Sequence, residues 1–167
     1  MEKKIKDIWS YFSSNYYNGE KYSQIRSIDF AGCEMVKSAY GNENSNYNWT
    51  IDHIFPKNSS FAKVFGSNDI TNCQVLSLEA NQQKANRLFG TIQINYYSNN
   101  RFQKTIYTKY EVKENFFFNS FKASREQIGI IYIKKQWDNE GRVYIRNKYF
   151  YLSLIHSWRC ARCSACC

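Results

Sequence analysis

The fold is decided by one stretch of the chain, Trp49-Thr50-Ile51-Asp52-His53-Ile54-Phe55-Pro56. Its aromatic and β-branched residues favour a strand over 49–55. Pro56, the only proline of the chain, ends that strand because it cannot donate to a sheet ladder. The stretch also places an acid, Asp52, beside His53, one of only two histidines. An ionisable imidazole next to a carboxylate makes this strand end the candidate for catalytic chemistry.

The residues that follow predict a partner strand and a helix. The apolar run 73–78 indicates a second strand, and the good helix formers of 79–88 indicate a short helix that ends near Gly90. Residues 57–71, between the strands, are rich in Ser, Asn, Lys and Gly and are typical of a loop. The predicted order is strand, loop, strand, helix, which would bring Asn72 and Asn81 back towards His53.

The residue types at these positions suit the hydrolysis of a phosphodiester. A hard cation takes oxygen ligands, and Asp52 offers a carboxylate while Asn81 offers an amide oxygen. Such a cation leaves room for water and a phosphate oxygen, polarises the scissile phosphate and stabilises the leaving 3′ oxygen. His53, neutral near pH 7, could take the proton of the attacking water. The pattern therefore favours one metal and one general base.

Three further residues complete the candidate site. Asn72, at the entry to the second strand, could brace the loop that carries His53 or accept a hydrogen bond from its imidazole. Lys84 follows Asn81 by three positions, so it shares that helix face and could reach a phosphate. Arg87, one turn further, could contact the flanking nucleic-acid backbone.

Together these blocks resemble the HNH endonuclease motif of the ββα-metal fold. The similar segments are 51–56, Asn72-Cys73-Gln74-Val75-Leu76 and Asn81-Gln82-Gln83-Lys84, against the family's usual Asp-His-Ile-x-Pro, Asn-x-Gln-x-Leu and Asn-x-x-Lys. The resemblance spans Trp49 to Leu88. It implies that His53 is the general base, that Asp52 and Asn81 bind the metal, and that Asn72 supports the base.

The chain departs from the family's pattern at two points. The loop after the proline has Gly66 alone in place of the usual Gly-Gly turn, and no zinc-binding cysteine pairs bracket the motif. The third block has Asn where many members have His, a variant that the family uses. Neighbouring side chains of a regular strand point to opposite faces, so Asp52 and His53 can reach one site only if the strand is irregular or ends there.

The rest of the chain divides into helical and β-rich parts. Residues 3–13 have an amphipathic helical period, some helix is expected around Lys21–Ile28, and Asp29 is expected to cap a second helix that Gly41 ends. A polar loop then covers 41–48. Candidate strands lie at 92–97, 104–111, 128–137 and 142–154, and 116–121 reads as a short strand or a helix start.

We therefore predict an α+β protein in which a ββα-metal (HNH) motif packs on N-terminal helices and precedes a basic, β-rich segment. The expected parts are a helical packing segment at 1–48, the catalytic module at 49–90, a substrate-binding segment at 91–155 and a Cys-rich tail at 156–167. The last part ends with four of the six cysteines, which follow His156. Zinc there is disfavoured, because ligand pairs normally enclose a loop and this cluster has none.

Charge is concentrated in the C-terminal half. Residues 91–167 carry thirteen Lys/Arg against five Asp/Glu, whereas the first 47 residues carry six of each; the chain as a whole has a net charge of +9. A basic half on a neutral body suits a polyanion, although an A+T-rich coding sequence also explains abundant lysine.

These observations favour a metal-dependent DNA endonuclease of the restriction, phage or mobile-element type, using Mg²⁺ or Mn²⁺. Double-stranded DNA is the expected partner, with a homodimer if both strands are cut, no membrane association, and a prokaryotic or phage-encoded cytoplasmic setting. The alternatives are an RNA-cleaving or toxin-like nuclease, and an inactive nucleic-acid-binding module.

Overall fold

A computed structural model of the chain describes residues 5, 8–10, 25–60, 72–114 and 129–150. The protein is of mixed class, with short helices and mostly antiparallel strands. The described part contains no helix long and apolar enough to cross a membrane.

A β-hairpin and a helix form the part that contains the candidate site. Strand β3 (Trp49–His53) pairs antiparallel with β4 (Cys73–Ser77), and helix α1 (Leu78–Lys84) follows directly. Ser77 caps the helix, since its hydroxyl accepts a hydrogen bond from the N–H of Ala80 at 3.3 Å. The predicted order of strand, strand and helix is confirmed, and residues 61–71 of the predicted loop lie outside the described residues. The helix ends at Lys84, earlier than the predicted limit of Leu88, because Ala85 leaves the helical region with φ 47°.

A four-stranded antiparallel sheet, in the order β5-β6-β7-β8, forms the second part. Its strands are β5 (Phe89–Ser98), β6 (Arg101–Glu114), β7 (Gly129–Asp138) and β8 (Val143–Phe150). All four strands were predicted within a few residues. Asn99 and Asn100 both have positive φ, which a two-residue turn of type I′ requires, so β5 and β6 join tightly.

The main core lies between these two parts. The inner face of the sheet, including Ile92, Ile94 and Ile131, packs against Leu76 and Ala80 of the β4–α1 segment. Gly90, the expected boundary between catalytic and substrate-binding parts, lies inside β5, and residues on both sides of it share one core.

The approach between the two parts is close at the loop that follows His53. A Cβ atom on Gly129, the first residue of β7, would lie 2.5 Å from the ring of Phe55 and 2.7 Å from Ile54. Only glycine fits there. The residues after β3 are thus held by direct packing on the sheet.

The predicted second helix over residues 29–40 is wrong. Residues 26–36 form a small hairpin, with β1 (Arg26–Ile28) antiparallel to β2 (Glu34–Val36), and a 3₁₀ turn follows at Lys37–Ala39. Of the helix expected around Lys21–Ile28, Ile25 is helical, residues 21–24 lie outside the described residues, and strand β1 begins at Arg26. Residues 41–48 form the expected loop of turns.

Residues 29–40 do not form the predicted helix because the Asp29 carboxylate closes a turn. Its Oδ1 accepts hydrogen bonds from the N–H groups of Ala31 (3.0 Å) and Cys33 (2.8 Å), which closes a turn in place of capping a helix. Gly32 supplies the positive φ of 94° that this turn requires. Oδ2 accepts from the N–H of Ser77 at 3.0 Å, so one buried side chain joins the β1–β2 hairpin to the start of α1.

A second, smaller core surrounds Trp49. It includes Ile8, Trp9, Met35 and Val75, and the Trp9 and Trp49 ring centroids lie 4.6 Å apart. Residues 5 and 8–10 are helical, as the amphipathic period of 3–13 predicts. Segment 116–121, strand residues beyond 150 and the tail 156–167 lie outside the described residues.

Asp29 makes the free energy of unfolding depend on pH. Burial raises its pKa above the ordinary value of 3.8, against the opposing effect of its N–H donors. The folded protein therefore takes up this proton before the unfolded chain does as the pH falls. Relative to Asp29→Asn, which cannot titrate, wild type should gain stability as the pH falls through the raised pKa, with the gain complete below 3.8. Urea denaturation of both proteins from neutral pH to about 4 measures this difference. A difference that stays constant or shrinks with acidification would contradict the raised pKa.

Candidate active site at the end of strand β3

The centre of the candidate site is a buried ion pair between β3 and α1. Lys84 Nζ lies 2.9 Å from Oδ2 of Asp52 and donates to its Oδ1 at 3.2 Å. The same ammonium donates to the backbone carbonyl of His53 at 3.0 Å. Lys84 is fully buried and Asp52 is 6% exposed. One lysine thus ties the end of the helix to two consecutive residues of the strand.

Gln74 completes the surroundings of the carboxylate. It is the cross-strand partner of Asp52, and its Nε2 donates to Asp52 Oδ2 at 2.7 Å. Burial raises the pKa of Asp52, and the charge and hydrogen bond of Lys84 oppose that rise. A buried carboxylate is tolerated when it is paired and hydrogen-bonded, and both conditions are met here.

Sequence reasoning missed Gln74. The signal was present, because Gln74 occupies the middle of the Asn-x-Gln-x-Leu block. Its contact with Asp52 follows only once the strand register is known, since directly opposed residues of an antiparallel pair share one face.

His53 ends β3 and is half-buried. The strand keeps its regular register with β4 through His53, which lies opposite Cys73. The side chains of Asp52 and His53 therefore leave the strand on opposite faces, Asp52 towards α1. Of the two conditions for a shared site, an irregular strand or a strand that ends at these residues, the structure has the second, since β3 is regular and ends at His53.

Asn72 braces the backbone just beyond His53. Its Oδ1 accepts from the N–H of Phe55 at 2.9 Å and its Nδ2 donates to the carbonyl of Phe55 at 3.0 Å. Its own carbonyl accepts from the N–H of Ile54, also at 2.9 Å. This is the first of the two arrangements considered for Asn72, in which the buried amide holds the loop that carries the histidine.

The two remaining candidate residues lie on or just after α1. Asn81 is half-buried, one turn before Lys84 on the helix that contacts Asp52. Arg87 was expected on the helix, one turn beyond Lys84, but it lies past the end of the helix. It is exposed, and its guanidinium donates to the carbonyl of Gln83. The structure thus gathers Asp52, Lys84 and the His53 backbone into one contact, with Asn72 on the adjoining loop.

Lys84 was expected to face a phosphate and is instead buried against Asp52. The two roles differ in charge: a solvent-facing ammonium attracts a polyanion, whereas this one neutralises a carboxylate inside the protein.

The oxygen donors at this site suit a hard divalent cation. The charge of the site does not, as long as Lys84 stays paired with Asp52. Asp52 and Asn81 offer the oxygen atoms that Mg²⁺ prefers. The Asp52 charge, however, is already balanced by Lys84, and a divalent cation at the same carboxylate would stand beside a like charge. Among the described residues no three His, Cys, Asp or Glu side chains form a group that could hold a metal ion. Metal binding at Asp52 therefore requires the ammonium to move away.

Comparison with known proteins identifies no relative: no protein-family model, curated protein or solved structure matches this chain.

Competition between Lys84 and a cation can be measured without any activity. In Lys84→Met the Asp52 carboxylate lacks its cation, so Mg²⁺ should raise the melting temperature of this variant more than that of wild type, by binding only the folded state. The double variant Asp52→Asn with Lys84→Met is the matched control and should lose this extra response. Thermal melts across a Mg²⁺ titration provide the readout. Equal responses in wild type and both variants would place any metal elsewhere than at Asp52.

Proposed function

We propose that the protein is a metal-dependent endonuclease that hydrolyses phosphodiester bonds in DNA, with His53 as the general base. The observation that carries the proposal is the strand–strand–helix unit with His53 at the end of its first strand and the following backbone clamped by Asn72. The resemblance to HNH endonucleases falls on this same unit. The excess of basic residues in the C-terminal half agrees with a polyanionic substrate.

His53 is suited to proton transfer by its place in the fold. The imidazole is half-buried, so it can contact both solvent and substrate, and it is the only described histidine of the chain. Its backbone is fixed on one side by Lys84 and on the other by the Ile54–Asn72 hydrogen bond. A base held in this way meets the attacking water without reordering its own backbone, which lowers the entropic part of the barrier.

Asp52 and Asn81 are the residues that would hold the cation. When bound, a divalent cation supplies charge stabilisation for the phosphate and for the departing oxygen. In this proposal Lys84 leaves Asp52 when the site is loaded, and its ammonium then becomes available to a phosphate oxygen. Arg87, which is exposed, contacts the adjacent backbone of the substrate.

The substrate is proposed to be double-stranded DNA. One site cleaves one phosphodiester in each encounter, so cutting both strands would take two copies of the chain acting as a homodimer. A restriction, phage or mobile-element setting in a prokaryotic cytoplasm is part of the same proposal and rests on the resemblance alone.

The proposal predicts that His53→Ala abolishes cleavage while DNA binding persists. Supercoiled plasmid is incubated with wild type and variant, each with Mg²⁺ and with chelator, and binding of a DNA duplex is followed in chelator. Loss of a general base lowers the rate by about 10²–10⁴-fold. The matched control is His156→Ala, which removes the other histidine and should nick plasmid like wild type.

Other outcomes separate the alternatives. Mg²⁺-dependent cleavage of RNA in preference to plasmid would indicate the RNA-cleaving or toxin-like nuclease. Binding without metal-dependent cleavage in wild type would identify an inactive nucleic-acid-binding module. Undiminished cleavage by His53→Ala would remove His53 from the mechanism.

A further inference from the structure

We propose that the outer face of the four-stranded sheet binds the backbone of duplex DNA through a row of three cations, Lys109, Lys135 and Arg146, here called the cation row. That this DNA is also the substrate rests on the proposed function. The binding itself rests only on the arrangement of the sheet.

The strand register places the three cations side by side. Lys109 of β6 is the Cα partner of Lys135 of β7, and Lys135 is the Cα partner of Arg146 of β8. Directly opposed residues in antiparallel strands share one face, so the three side chains leave the sheet together. On β5, the remaining strand of the sheet, the partner of Lys109 is Thr91. The row across the four strands therefore contains no acid.

The cation row lies on the face turned away from the main core. The rows on its two sides point the other way: one contains Ile92 and the other Ile133, and both residues are buried in that core. Lys109 and Arg146 are exposed and Lys135 is half-exposed. Among the described residues no carboxylate lies within ion-pair distance of any of the three. Glu111, two residues along β6 from Lys109, is paired with Lys134 at 3.0 Å.

Such an arrangement is unfavourable for the free protein. Like charges placed directly opposite on neighbouring strands repel and destabilise a sheet. Here two successive opposed pairs are both cation against cation. A bound polyanion removes this repulsion, which makes the row a feature that a ligand would stabilise.

Charge density and the neighbouring aromatics favour duplex DNA over a single strand. Neighbouring strands lie about 4.8 Å apart, so the row spans roughly 10 Å. Duplex DNA carries one negative charge per about 1.7 Å of its axis, a higher charge density than that of a single strand. Beside the row, Tyr107 and Trp137 stack on each other with centroids 5.5 Å apart and planes at 18°, and Lys135 Nζ lies 4.8 Å from the Trp137 centroid. The two rings already stack on each other, so the faces that they share are closed to unstacked bases.

The cation row cannot contact the phosphate that faces His53. The inner face of the sheet packs on Ile54 and Phe55, the residues that follow His53, and the row projects from the opposite face. It would hold DNA at a distance from the scissile bond. Its removal should therefore weaken binding, or raise KM, and leave kcat at saturating DNA unchanged.

The test replaces the row by glutamines in the full chain, as Lys109→Gln, Lys135→Gln and Arg146→Gln together. The control is Lys37→Gln, Lys104→Gln and Lys148→Gln, with the same charge loss. Lys104 and Lys148 lie opposite the inner-face residues Tyr96 and Ile133. Binding of a DNA duplex and of one of its single strands is measured in chelator over a range of salt concentrations.

The row variant should bind the duplex on the order of 10²-fold more weakly at about 0.1 M salt, and the slope of log K against log salt should fall by about 2.7 for three lost contacts. The control should retain most of its affinity. Because opposed charges are removed, the row variant should also melt at or above the wild-type temperature at low salt, so weaker binding cannot be ascribed to unfolding.

The outcomes are decisive for the cation row and separable from catalysis. Equal losses in both variants would show that net charge alone binds DNA, and undiminished binding by the row variant would exclude the row; either result overturns the inference. Tighter wild-type binding to the single strand would overturn the choice of duplex. Loss of binding in the row variant together with no cleavage by wild type would refute the proposed nuclease and leave the surface standing. Cleavage by wild type, with an unchanged KM in the row variant, would support the proposed nuclease and refute the DNA-binding role of the cation row.

Discussion

The candidate site depends on one buried ion pair, Asp52 with Lys84. Without its partner, each group would be a charge enclosed by protein, which costs more than almost any other single defect. The pair therefore constrains its surroundings: α1 must end where Lys84 can reach β3, and β4 must place Gln74 opposite Asp52. The extra hydrogen bond to the His53 carbonyl extends the constraint to the candidate base. At the other end of α1, the buried Asp29 carboxylate fixes the start of the helix by accepting a hydrogen bond from the N–H of Ser77.

The ion pair also bears on the chemistry. A carboxylate next to a histidine and a helical asparagine suggests a metal site, yet in the structure that carboxylate is held by a lysine of the same helix. The two descriptions are compatible if Lys84 exchanges between Asp52 and a substrate phosphate as the site is loaded. Asp52 and His53 leave β3 on opposite faces, so the proposed function requires the strand end, where Asn72 and Gly129 hold the loop, to bring the two to one phosphate. The cation row, on the far face of the sheet, is then a separate means of holding DNA.

Much of the fold could be read from the sequence because its signals are local. Alternating Tyr, Ile and Val residues between Asn and Gly turns located β5 to β8, and Pro56 fixed the end of the first strand within a few residues. The region 29–40 was misjudged because Asp29 has the side chain of a helix cap, and only its tertiary bond to Ser77 and the Gly32 turn decide otherwise. In the site, the position of Asn72 followed from the motif. The burial of Lys84 did not, since helical spacing indicates a shared face but not whether that face meets solvent or a carboxylate. The cation row required the strand register, which a single sequence does not contain.

The most direct test of this account is a double-mutant cycle on the ion pair, with Asp52→Asn, Lys84→Met and the double variant compared with wild type by urea denaturation. A buried pair predicts that each single change destabilises by about 3–5 kcal/mol, because it strands its partner. The double variant should then be more stable than the sum of the two effects implies, by at least about 2 kcal/mol. Small and additive effects, within about 0.5 kcal/mol, would show that the two charges are not coupled and would contradict the account.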